Sequence, residues 1–172
     1  MLTADAATTS CAHATMSYRT TYSYGWKSMN AERKRLVLES WDAIGRNHDR
    51  VAAAFYDRLF EIDAGARSLF AETNMVAQRG KFVQMLGEIV RNLDLPRELI
   101  PTVSALGRRH VAYGVRDTDY ERVREALFAA LAGALGAGFT DEVRDAWEEA
   151  YALTAAVMKR GAQSGTASPA TS

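Results

Sequence analysis

Residues 99–114 read LIPTVSALGRRHVAYG, and the reading of the whole chain turns on them. Leu99, Val103, Leu106 and His110 recur at steps of four, three and four, so they share one face of a helix. Pro101 is tolerated at the start of that helix, where the first turn has no intrahelical use for an amide, and Gly114 ends it. His110 therefore stands at the end of an apolar stripe, with its ring on the core side. On spacing alone the signal is weak. A lone histidine on an apolar face is more often a core residue hydrogen-bonded to a carbonyl than a metal ligand.

The same periodicity extends in both directions. Asn30 caps a first helix with Val37, Trp41 and Ile44 on one face and Gly45 near its end. Val51, Phe55, Leu59 and Ile62 carry a second, which Gly65 breaks. Ala66 to Asn74 form a turn and connection holding Phe70. A longer helix follows, with Met75, Gln78, Phe82, Leu86, Ile89 and Leu93 on one side, until Leu95-Pro96 interrupts it. After Gly114, Thr118-Asp119-Tyr120-Glu121 has the spacing of a capping box. It opens a helix with Tyr120, Val123, Leu127, Leu131 and Ala134 as its apolar face. Thr140 caps the last helix, which presents Val143, Trp147, Tyr151, Thr154 and Met158. The pattern predicts an all-α chain of about six substantial helices. Residues 1–29 are expected to be a flexible N-terminal tail whose Tyr18, Tyr22, Tyr24 and Trp26 could dock on the domain. Residues 30–162 form the domain, and residues 163–172 a flexible C-terminal tail.

Composition narrows the function. A chain of 172 residues, 48% hydrophobic and 24% charged, holds one core and not two domains. Twenty-one basic residues balance 21 acidic ones, which argues against nucleic acid as a partner. The single cysteine, Cys11, excludes an intramolecular disulfide framework, and Cys11 with His13 is too small a set for zinc, which asks for about four ligands. The longest uncharged run, Ala126 to Thr140, falls short of the roughly 20 apolar residues that span a bilayer. It reads instead as a buried helix whose small residues sit at close helix crossings. With no secretory signal at the N-terminus, the expectation is a cytoplasmic protein with no membrane partner. Of the three histidines, His48 reads as a surface-loop residue, while Arg108 and Arg109 read as a solvated helix end.

Five short pieces, in order, change the weight of His110. They are Phe55-Tyr56-Asp57-Arg58-Leu59-Phe60, Ser68-Leu69-Phe70, Leu106-Gly107-Arg108-Arg109-His110, Tyr120, and Asp145-Ala146-Trp147-Glu148-Glu149-Ala150-Tyr151. Together they resemble the globin family, in particular bacterial single-domain globins and the haem domain of flavohaemoglobins, over residues 31–161. The resemblance implies a globin fold of six to eight helices enclosing a pocket for haem b, with His110 as the axial iron ligand. Its other ring nitrogen would bond a carbonyl, with Leu106 one turn earlier as the acceptor. It makes Phe70 the ring wedged against the haem, and Leu106 and Val115 its proximal packing. Tyr56 and Gln78 match the distal donors, and Phe82, four residues after Gln78, limits access. Arg79 and Lys81 are the next residues to approach the haem edge, with Lys81 able to pair with a propionate.

Two departures stand out. Tyr120 matches a tyrosine that supports the proximal histidine together with a glutamate. Fifteen residues after Trp147 the glutamate position holds Ala162, which has no acceptor to offer. The chain also lacks a G-x-G-x-x-G motif, so any reductase is expected to be a separate protein. The resemblance thus implies reversible binding of dioxygen, nitric oxide or carbon monoxide. Nitric oxide dioxygenase activity with an external reductase, and haem-based or haem-free sensing, are the alternatives. Globins of this kind also pair as homodimers through long helices, though nothing in the sequence selects a face.

Overall fold

In the structure, a computed structural model, residues 29–166 are described. The aromatic cluster of the N-terminal tail, the Cys11/His13 pair and residues 167–172 lie outside them. The described residues form seven α-helices in order: α1 (Ala31–Ile44), α2 (His48–Ile62), α3 (Ala64–Leu69), α4 (Met75–Arg91), α5 (Pro96–Ala112), α6 (Asp119–Leu135) and α7 (Asp141–Thr166). Single 3-10 turns, Gly45–Asn47 and Gly136–Gly138, join α1 to α2 and α6 to α7. There is no strand among the described residues. The apolar stripes become the core: Val37, Trp41, Val51, Phe55, Leu99, Val103, Leu127, Leu131 and Trp147 are all buried. Ala134, expected on the inner face of α6, is exposed. Met29 is buried, and α7 runs from Asp141 to Thr166.

The caps show where local chemistry set the boundaries. Asn30 accepts from the Arg33 amide at 2.8 Å and Asn74 from the Val76 and Ala77 amides at 3.1 Å. The break after α2 belongs to Asp63 rather than Gly65. Its carboxylate accepts from the Gly65 and Ala66 amides and starts the six-residue helix α3, which leads into Phe70. The capping box at Thr118 does not form, because Thr118 is itself in a helical conformation and its side chain makes no capping bond. Asp119 turns back instead and accepts from the Arg116 amide at 2.8 Å. Pro96, and not Pro101, occupies the first turn of α5, which leaves Pro101 inside the helix. His48 is not a loop residue. It begins α2, packs its ring at a tilt against Trp41 with ring centres 4.0 Å apart, and its Nε2 bonds the Trp41 carbonyl.

α5 lies along α7, α2 packs on α6 and α4, and α1 rests on α7. The α5–α7 contact brings backbones together. A Cβ on Gly107 would stand 2.0 Å from the Met158 carbonyl oxygen, and one on Gly161 would stand 2.3 Å from that of Ser104. The pairing 107 with 158 and 104 with 161 makes the two helices antiparallel where they touch. The glycines of the Ala126–Thr140 run do not play this part: a Cβ added at Gly133 or Gly136 would meet nothing within 4 Å, and Gly136 serves a turn at φ +53°. At the centre Trp147 Nε1 donates to Ser40 Oγ at 3.0 Å, and Ser40 donates to the Val37 carbonyl. The buried indole N–H and hydroxyl are thereby satisfied. No helix among the described residues is long and apolar enough to cross a membrane.

Candidate functional site

Two groups of residues come from different helices. The first gathers on α2, the end of α3 and the start of α4. Tyr56, in the middle of α2, is only 3% exposed. Its ring meets Phe70 edge-on at 5.5 Å and Phe82 at 5.8 Å, and Phe60 lies 6.0 Å away. Phe55 stacks flat on Phe82, with centres 4.3 Å apart and planes 11° from parallel. Four phenylalanine rings thus wall in one phenol.

Gln78 reaches that phenol from the first turns of α4, its Nε2 donating to Tyr56 Oη at 3.0 Å. Because the hydroxyl oxygen is the acceptor here, its own proton is left to donate, and no acceptor for it lies among the described residues. Burial pushes the Tyr56 hydroxyl above the usual tyrosine range, while the Gln78 hydrogen bond and the Arg79 charge pull the other way. The phenol stays protonated at neutral pH and remains a donor.

The second group is on α5. His110 is half-buried near the C-terminal end of that helix. Its Nδ1 lies 2.9 Å from the Leu106 carbonyl, which can only accept, so Nδ1 carries the proton and the Nε2 lone pair is left over. The His110 carbonyl accepts from the Val115 amide at 3.0 Å and closes the chain around Gly114, whose φ is +82°. Leu106 and Val115 are partly buried against the core. Burial holds His110 below the ordinary histidine value; the Leu106 hydrogen bond opposes this and the Arg109 charge adds to it.

That depression has a direction in pH. As pH falls, the unfolded chain takes up a proton at this residue before the folded chain does. The stability from a neutral His110 is whole above about pH 6.5 and is lost as pH falls through that value toward the lower folded one. Urea midpoints of the cofactor-free protein should therefore drop more in the wild type than in His110→Leu between about pH 7 and pH 5. Equal drops would show that His110 does not titrate differently on folding.

Tyr120 is buried at the start of α6. Its carbonyl accepts from Tyr151 Oη at 2.7 Å, and its ring lies 4.9 Å from the Lys159 ammonium. The Tyr151 hydroxyl is held well above the usual range by burial, with the Glu121 charge adding to it. Glu149 is paired with Arg33 of α1. Lys81 is exposed, whereas Arg79 is partly buried and its Nε is cut off from solvent. The partners Phe55 and Phe60 were not anticipated for this site. Their signal lay in the Phe55–Phe60 stretch itself, whose aromatic residues fall on neighbouring turns of one helix.

The Globin family profile matches residues 53–158, from α2 into α7. Neuroglobin of Tetraodon nigroviridis is 28% identical over 148 residues, covering 78% of this chain and 93% of that protein. The anaerobic nitrite reductase NSHB5 of Oryza sativa subsp. indica is 30% identical over 134 residues, covering 74% and 91%. Among solved structures, the chain is similar to the engineered carbene transferase RmaNOD of Rhodothermus marinus, whose name assigns it provisionally to the nitric oxide dioxygenases. That similarity has a TM-score of 0.72 at 27% identity, over 80% of this chain and 96% of that one. A hexacoordinated haem protein from an anhydrobiotic tardigrade shares the fold, with a TM-score of 0.72 at 18% identity, over 78% and 95% of the two chains. The family match and the helical architecture concur: the chain belongs to the globin family.

Proposed function

We propose that this globin binds dioxygen reversibly, in storage, delivery or scavenging, with haem b held through His110. Globin membership carries haem binding with it, and the donor chemistry of the chain fits that group. His110 is neutral, with Nδ1 committed to Leu106 and the Nε2 lone pair available, the form in which imidazole ligates a metal. Phe70, Phe82, Leu106 and Val115 are apolar and only partly buried, as the lining of a cofactor pocket would be. Bound haem would supply the iron that takes up a diatomic gas; the rest falls to this chain.

The observation that carries the reading is the Tyr56–Gln78 pair. An O–H with a free proton, backed by an amide and walled by rings, suits the partly negative oxygen of a dioxygen ligand. Carbon monoxide, much less polar, gains little from the same donor. The test is the absorption spectrum of the reduced protein with and without carbon monoxide, followed by dioxygen dissociation rates. A haem spectrum that shifts with carbon monoxide is expected. Tyr56→Phe should speed dioxygen loss about 10- to 100-fold, the worth of one hydrogen bond to a charged partner. An unchanged rate would remove Tyr56 from the ligand side. A colourless protein that cannot be reconstituted would overturn the reading altogether.

A second reading is nitric oxide dioxygenase activity, in which bound dioxygen and nitric oxide yield nitrate and a separate reductase restores the ferrous state. It is supported by the similarity to the Rhodothermus marinus protein. Sustained nitrate production that depends on added reductase would favour it over simple gas binding.

A further inference from the structure

We propose that Arg122 is a positioning residue that ties the start of α3 to the loop behind His110, so that the two walls of the haem pocket are set together. The inference rests on the haem-globin reading above. One nitrogen makes the tie. Arg122, one turn into α6, has its Nη1 3.0 Å from Asp63 Oδ2 and 2.8 Å from Asp119 Oδ1. Both carboxylates are largely buried, with side chains 17% and 15% exposed. Both also bind backbone. Asp63 Oδ1 accepts from the Gly65 and Ala66 amides, and Asp119 Oδ2 accepts from the Arg116 amide. Arg116 Nη2 completes the set by pairing with Asp119 Oδ1 at 3.1 Å.

Each carboxylate thus gives one oxygen to Arg122 and the other to the backbone. Moving either backbone segment strains a charge-assisted bond at the guanidinium. An isolated ion pair at a surface contributes little, but two carboxylates and two arginines in one partly buried network hold their geometry better. What hangs from each end gives the tie its meaning. α3 has six residues and delivers Phe70, whose ring stands edge-on to Tyr56 at 5.5 Å. A helix that short has little cohesion of its own, so its ends decide its setting. At the other end Arg116 follows Val115, whose amide closes on the His110 carbonyl at 3.0 Å. A displacement of the His110 loop is therefore passed to Asp119, through Arg122 to Asp63, and so to Phe70. Among the described residues, Asp63 with Arg122 is the only ion pair that joins the segment 63–70 to α6 or to the loop before it.

The test reads coupling across this relay, by backbone amide signals in nuclear magnetic resonance and by the rate of haem release. Asp63→Asn keeps a capping oxygen for α3 and removes the charge that faces Arg122. It should shift the amide signals of Val115 and Arg116, which lie beyond Arg122 and Asp119. Asp119→Asn should in turn shift that of Phe70. In an Arg122→Gln background Asp63→Asn should no longer move Val115. The haem-loaded Arg122→Gln protein should release haem about fivefold faster or more, and adding Asp63→Asn should change that rate by less than about twofold. Arg122→Lys keeps a charged nitrogen able to meet both carboxylates and should return the rate to within about twofold of wild type. Val115 unmoved by Asp63→Asn, or moved equally with and without Arg122, would overturn the proposal. So would haem-release effects that simply add, the pattern of an arginine that only stabilises the fold. Should Arg122→Gln fail to fold, the reciprocal shifts of Asp63→Asn and Asp119→Asn decide alone. A wild type that takes up no haem would sink the globin reading; the amide shifts are then read on the cofactor-free protein and still decide the relay.

Discussion

His110→Ala is expected to leave a folded chain that no longer retains haem. The prediction separates two roles of the same ring. As a packing group His110 is only half-buried, and its one hydrogen bond is to a carbonyl within its own helix. Losing it should cost about 1–2 kcal/mol of stability, within what a domain of this size tolerates. As a ligand it would have no second free histidine to replace it among the described residues, because His48 is committed to the Trp41 carbonyl. Haem affinity should therefore fall more than about 100-fold, beyond the loss typical of residues that merely orient a ligand. Far-ultraviolet circular dichroism should stay close to wild type while the haem spectrum is lost. Added imidazole should restore part of it by filling the space the side chain leaves. A spectrum unchanged by the substitution would mean that another side chain ligates the iron.

The helices were legible because burial imposes a period. Val37, Trp41 and Ile44, or Leu99 and Val103, are spaced by the helix itself, and each stripe meets the core where it was expected. Boundaries were less so, because capping groups compete. Asp63 and Gly65 are both turn residues, and only the direction of the Asp63 carboxylate decides between them. The candidate site divides along the same line. The His110–Leu106 bond is local, one helical turn long, and could be inferred from spacing. The Tyr56–Gln78 bond joins residues 22 apart, so it depends on how α4 packs against α2. Arg79 and Lys81 are equivalent on paper, and packing alone makes one partly buried and the other exposed. Glycine is the extreme case. Gly107 and Gly133 look alike in their helices, yet only Gly107 has a neighbour's backbone against it.

That contrast gives the second large effect, in which the same substitution has opposite signs at two places. Gly133→Ala, on α6 with nothing near the added methyl, should stabilise the fold by up to about 1 kcal/mol, because alanine loses less backbone entropy in a helix. Gly107→Ala has the same helical advantage but puts a Cβ 2.0 Å from the Met158 oxygen, 2.6 Å from its carbonyl carbon and 2.7 Å from its Cα. These are backbone atoms of α7 and cannot rotate away. The helices must separate by an ångström or more, roughly the gap to ordinary contact distance, and Gly161 against Ser104 is pulled loose with them. Val103, Val157 and Met158, all buried around this crossing, lose packing together. The net cost should reach about 3 kcal/mol or more, the upper range for overpacking, and lower the urea midpoint accordingly. His110 is three residues beyond Gly107 on the same helix, so whatever moves α5 off α7 also moves the ring that would hold the iron. Gly107→Ala should therefore release haem faster than wild type, while Gly133→Ala releases it at the wild-type rate. A Gly107→Ala protein as stable as wild type would show that α5 and α7 do not approach this closely in solution.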